Sequence, residues 1–170
     1  MTREEIILKL KNYFDIRELV SSSVFFKYGE DAWFIFDTNT LLCLLIIREG
    51  IGKPITINNW HTGGQFSQRG YRSNISEIVE SKRNLYVSGH MIGKAFDFDV
   101  KGITADQVRT WIHSKADFFP CKVRLENKNL LTSKTINWDV ILQRSASAGN
   151  QKWFFEDSVP GRRNGKISHG

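Results

Sequence analysis

The sequence predicts a single α+β domain in which helices pack on a small, mainly antiparallel sheet. Three observations lead there. Two segments open with the residue spacing of a helix capping box, Thr2 with Glu5 and Thr104 with Gln107. Residues 95–100 alternate strictly between apolar and polar or small side chains, the period of a half-buried strand. And 170 residues with 41% hydrophobic content are enough to bury a core.

Taken in order, residues 2–14 read as the first helix, with Ile6, Ile7, Leu10 and Phe14 on its apolar face. A second short helix is expected over 16–28, ending at Gly29. Residues 40–49 are apolar nearly all round, which predicts a buried helix with Gly50 as its C-cap. A strand follows at 55–58, then a loop over 63–75 that carries Arg69 and Arg72. In the alternating segment Phe96, Phe98 and Val100 should face the core, with Ala95, Asp97 and Asp99 on the other side. The helix opened by Thr104 turns Ala105, Val108 and Ile112 inward and leaves His113 to solvent. Beyond Pro120 two strands are expected, at 123–126 and 135–142. The alternation at 135–142 puts Ile136, Trp138, Val140 and Leu142 on one face, with Thr135, Asn137 and Asp139 on the other. The boundaries follow as a domain over 1–142 and a basic, partly disordered tail over 143–170.

Charge and cysteine usage narrow the class. The formal charge is +6, and about half of it lies in the tail, where five basic residues face Glu156 and Asp157. That balance suits any anionic partner, but no zinc-finger, helix-turn-helix or RNA-binding signature supports nucleic acid. The opening Met1-Thr2-Arg3-Glu4-Glu5 is followed by no apolar run with a cleavage site, so no secretory signal is expected. The most apolar stretch, 41–47, is too short to span a bilayer. Cys43 and Cys121 are far apart in sequence and read as two reduced thiols, consistent with synthesis in the cytoplasm.

The chemistry concentrates in Ser88-Gly89-His90-Met91-Ile92-Gly93-Lys94-Ala95-Phe96-Asp97. Gly93 allows a turn closed to residues with a Cβ, after which Asp97 sits on a strand. Imidazole nitrogen and carboxylate oxygen are both good zinc donors, and a catalytic zinc takes three protein ligands with one open position. The bland alternative is a loop histidine and a solvated strand aspartate. The full pattern Ser88, His90, Gly93, Ala95 and Asp97 resembles the signature of the zinc D-Ala-D-Ala carboxypeptidases and related peptidoglycan peptidases, with their hedgehog-like relatives. Gln68-Arg69-Gly70-Tyr71-Arg72 is similar to the Gly-Tyr-Arg segment of that family. With Ile57-Asn58-Asn59-Trp60-His61 before it, the chain resembles the shorter domains found in phage and prophage proteins, over roughly residues 14–142.

The resemblance implies a hedgehog-like DD-peptidase fold and a zinc-dependent peptidase acting on peptidoglycan stem peptides, in the cell wall or as part of a virion. It implies His90 and Asp97 as the first two metal ligands, Arg72 as a catalytic group that binds substrate or its developing oxyanion, and Arg69 and Ser88 as further substrate contacts. The family takes its third ligand from a Trp-x-His-x-Asp-like strand. Aligning Asp139 on that aspartate places Asn137 where histidine is expected, and amide oxygen is a poor zinc donor. Three readings stay open: Asp139 binds the metal instead, a histidine from elsewhere completes the site, or the domain has become a wall-binding or structural component of a phage particle. Glu126 is the first choice for general base and Asp139 the second, with a surface carboxylate beside Arg124 and Lys128 as the plain reading of Glu126. Asp99 reads as a solvated carboxylate or one that supports the ligands. His61 is expected to play a structural or substrate-facing part, and His169 to lie in the tail.

Overall fold

The computed structural model describes residues 1–82, 84–125, 142–143 and 158–159. The first helix, α1 (Arg3–Leu10), starts as its capping box requires: Glu5 N donates to Thr2 Oγ1 at 3.2 Å and Thr2 N to Glu5 Oε2 at 2.8 Å. It buries Ile6, Ile7 and Leu10 and stops at Leu10, so Phe14 reaches the core from the following turns.

The helix expected over 16–28 is broken. Asp15 caps a 3₁₀ turn, Ile16–Glu18, and a separate helix α2 (Ser22–Tyr28) runs to Gly29. The break has a physical cause. The carbonyls between the two pieces are committed to other parts of the chain: Glu18 O accepts Asn58 N at 2.9 Å, Leu19 O accepts Tyr71 N at 2.9 Å, and Val20 O accepts Trp60 Nε1 at 2.8 Å. A continuous helix would have used them internally. A second 3₁₀ stretch, Gly29–Ile35, then leads to α3 (Thr38–Ile51).

α3 is the buried helix the sequence predicts, but longer at both ends. Asp37 caps it, accepting from Asn39 N at 3.0 Å and Thr40 N at 3.3 Å. Its C-cap is Gly52, in the left-handed region, and not Gly50. Gly50 lies inside the helix where a Cβ would fall 2.4 Å from the Trp111 ring, so its lack of a side chain serves packing against the later helix. Arg3 ties α1 to the start of α3, donating to Phe36 O at 2.8 Å and Thr38 Oγ1 at 2.8 Å.

The strands are shorter than expected. β1 (Ile55–Thr56) pairs antiparallel with β2 (Asp99–Val100), Ile55 opposite Val100 and Thr56 opposite Asp99. The residues flanking this ladder hydrogen-bond to loops: Asn58 N reaches Glu18 O, and Asp97 N donates to Arg69 O at 2.7 Å. Between them, just past the expected loop over 63–75, lies a short helix, α4 (Glu77–Glu80). The alternation at 95–100 holds for Phe96, Phe98 and Val100, all buried, while Ala95 on the opposite side is buried as well. α5 (Ala105–Ser114) begins with the expected Thr104–Gln107 capping box and leaves His113 exposed. Finally β3 (Val123–Arg124) is flanked on both sides, antiparallel, by β4 (Leu142–Gln143) and β5 (Ser158–Val159). Gln143 and β5, which fall in the expected tail, therefore pair with the domain.

The architecture is thus mixed helix and small antiparallel sheets, an α+β fold. Its core joins α1, α3 and the segment after Gly93, with Phe36 stacked on Phe96 at 5.0 Å between centroids. Among the described residues no helix is long and apolar enough to cross a membrane. Because α3 runs through this core, its start should matter to stability. Asp37→Ala is expected to cost about 1–2 kcal/mol, read as a lower midpoint in urea unfolding with an unchanged slope.

Candidate metal centre

His90 and Asp97 reach the same spot by different local devices. His90 lies in a 3₁₀ turn, Gly89–Ile92, which Gly93 ends in the left-handed region. A Cβ on Gly93 would stand 2.3 Å from Ile35 O, so the turn fits only flush against the chain entering α3, where Asp37 N donates to Gly93 O at 3.0 Å. Asp97, expected on a strand, lies ahead of β2 in chain without regular secondary structure, because its own N–H is committed to Arg69 O.

The ring of His90 is buried, 3% exposed as a residue, and its orientation is set. Nδ1 stands 2.7 Å from Gly70 O, and since a carbonyl only accepts, Nδ1 carries the proton in that bond. In the neutral ring Nε2 then carries the lone pair, and in the protonated ring it is a second donor facing Asp97. It is buried, has no hydrogen-bond partner among the described residues, and stands 3.4 Å from Asp97 Oδ2 without hydrogen-bond alignment. A tetrahedral zinc with bonds near 2.0–2.2 Å separates its donors by about 3.4 Å. A carbonyl on Nδ1 is also the usual support for a metal-binding imidazole. In donor type, spacing and support, these two residues fit a zinc ion.

The rest of the site does not yet make a coordination sphere. Among the described residues no group of three or more His, Cys, Asp and Glu side chains is placed to hold a metal. Glu126, Asn137 and Asp139, the expected base and third-ligand candidates, lie outside the described residues, as does His169. A cation of the chain's own stands at Asp97 instead: Arg72 Nη2 bonds Asp97 Oδ2 at 3.0 Å, while Arg72 Nε donates to Gln68 O at 2.6 Å. Burial pushes the Asp97 carboxyl up, but contact with His90 and the charges of Arg72 and Arg69 outweigh it and hold the group below the ordinary carboxylate value.

The other expected site residues divide. Arg69 is buried and bonds Asp99 Oδ2 at 2.7 Å, with its guanidinium 4.2 Å over the Phe66 ring. Asp99 is therefore ion-paired rather than simply solvated. Ser88 stands just before the His90 turn, its Oγ buried without a hydrogen-bond partner among the described residues. His61 is in a separate turn, Trp60–Thr62, with Trp60 edge-on to it.

Two residues that organise the site carry no chemical signal in the sequence. Gly70 supplies the carbonyl that orients His90, and it comes so close to Leu19 that a Cβ would fall 1.9 Å from Leu19 O. Asn58 is a buried amide whose Oδ1 accepts Arg69 N at 2.9 Å and whose Nδ2 donates to Val20 O at 3.3 Å. Both positions fall inside segments that carry the resemblance, Gly70 in Gly-Tyr-Arg and Asn58 in Ile57-Asn58-Asn59-Trp60-His61, but neither side chain is of catalytic or ligand type. Compared with models of known protein families, with characterised proteins and with solved structures, the chain matches none.

A carboxylate whose folded pKa is depressed stabilises the fold above its unfolded pKa, and that contribution is lost as pH falls through the folded value. Asp97→Asn is accordingly expected to cost about 2–4 kcal/mol near neutrality, since it leaves Arg72 without its counter-charge. The gap to the parent protein should narrow in acid. Urea unfolding at about pH 7 and about pH 3 brackets the ordinary carboxylate range and checks both statements.

Proposed function

We propose that this chain is a zinc-dependent peptidase of the D-Ala-D-Ala carboxypeptidase and hedgehog-like type, acting on the stem peptides of peptidoglycan. The observation that carries the reading is the buried Nε2 of His90, 3.4 Å from Asp97 Oδ2, with its ring locked by Gly70. When bound there, zinc polarises a scissile carbonyl and activates water. The chain's own part is to place the groups around it. Arg72 is close enough to Asp97 to pair with a substrate carboxylate or an oxyanion forming at the same place. In this reading Glu126 takes a proton from the attacking water and returns it to the leaving amine, and Asn137 or Asp139 stands in the third-ligand position. The substrate calls for action at the cell wall, through a virion or after lysis.

A second reading has a specific observation in its favour. Arg72 already occupies Asp97 Oδ2, and the described residues offer no third donor. That arrangement suits a domain descended from such peptidases and kept as a wall-binding or structural component of a phage particle.

Elemental analysis of protein dialysed against excess zinc and then buffer separates the two. The peptidase reading expects about one zinc per chain, its loss in His90→Ala, and release of stem-peptide fragments from purified sacculi, identified by mass spectrometry. Retention on sacculi with no metal and no released fragment would favour the second reading. Asn137→His is expected to tighten zinc binding, and an unchanged affinity would remove Asn137 from the third-ligand position.

A further inference from the structure

Cys43 and Cys121 are 78 residues apart in sequence, and the fold brings them together. Cys43 lies on the buried face of α3, 1% exposed, while Cys121 is partly exposed just ahead of β3. Both are free thiols, and their Sγ atoms stand 4.0 Å apart. A disulfide needs sulfurs about 2.05 Å apart, so the gap to close is of the size that a change of side-chain rotamer covers. We propose that Cys121 is a thiol–disulfide exchange site for small-molecule disulfides and that Cys43 is the thiol that resolves it, closing a Cys43–Cys121 bond.

The two sulfurs are suited to different parts. The hydrogen bond with Cys43 holds the Cys121 thiol below its ordinary value against burial and the charge of Asp37, which push it up, with Lys94 a smaller aid; the same contact and burial push Cys43 up. The less buried cysteine therefore ionises first and attacks, and the more buried one waits. In the first step Cys121 thiolate attacks one sulfur of the small disulfide, whose S–S bond breaks and releases a thiolate with the bonding electron pair. A mixed disulfide on Cys121 remains. Cys43 then loses its proton to that thiolate, and its sulfur attacks the Cys121 sulfur and expels the second small thiolate. The small disulfide is reduced to two thiols as the two cysteines are oxidised. The bond would close a loop that contains β1, the arginine loop, His90 and Asp97, although nothing in the step depends on a metal.

The test is incubation of the full chain with glutathione disulfide, followed by alkylation, intact mass and peptide mapping. The parent chain is expected to lose the mass of two hydrogens, yield a peptide joining residues 43 and 121, and melt about 5–10 °C higher than its reduced form. Cys43→Ala should stop at one glutathione adduct on Cys121, and Cys121→Ser should take none. A parent chain that stays unmodified, keeps the adduct, or links only between chains overturns the proposal. That measurement stands even if Cys43→Ala, a core variant, fails to fold.

Discussion

The arrangement of the candidate site depends on one close approach of backbone to backbone. Residues 69–71 pass against Leu19 with room for no side chain at Gly70, and the bond from Tyr71 N to Leu19 O clamps the contact. From that short segment three placements follow. The carbonyl of Gly70 turns the His90 ring, the carbonyl of Arg69 receives the amide of Asp97, and the next turn delivers Arg72 to the Asp97 carboxylate. Asn58 braces the segment from behind through the amide of Arg69. The chemistry thus belongs to side chains, but its geometry belongs to main-chain carbonyls on a loop without regular secondary structure. It also accounts for the broken helix before α2, whose free carbonyls are the ones this loop and its neighbours bind.

What the sequence revealed and what it hid divide along that line. Capping boxes at Thr2 and Thr104 were legible because both partners lie three residues apart and the bond needs no distant group. The core face of Phe96, Phe98 and Val100 was legible from period alone, as was the burial of α3. Pairing partners were not. Alternation over six residues suggested a long strand, yet only Asp99 and Val100 enter the ladder because the upstream amide of Asp97 bonds a loop carbonyl. The C-cap of α3 was misplaced by two residues because Gly50 and Gly52 look alike in sequence, while one meets Trp111 and the other takes a left-handed conformation. The meeting of Cys43 with Cys121 and the pairing of Arg69 with Asp99 are long-range facts that spacing does not encode. The His90–Asp97 convergence was the exception, legible because a turn and seven residues suffice to create it.

The pair of Asp97 with Arg72 has a consequence for how the protein handles ions in general. The carboxylate is neutralised within the chain, so the native arrangement forms without borrowing charge from solution. A newcomer bearing positive charge competes with a guanidinium for one oxygen. Arg72 is also anchored through Nε to Gln68 O, so a guanidinium displaced from the carboxylate would stay tethered beside it, within reach of an anion.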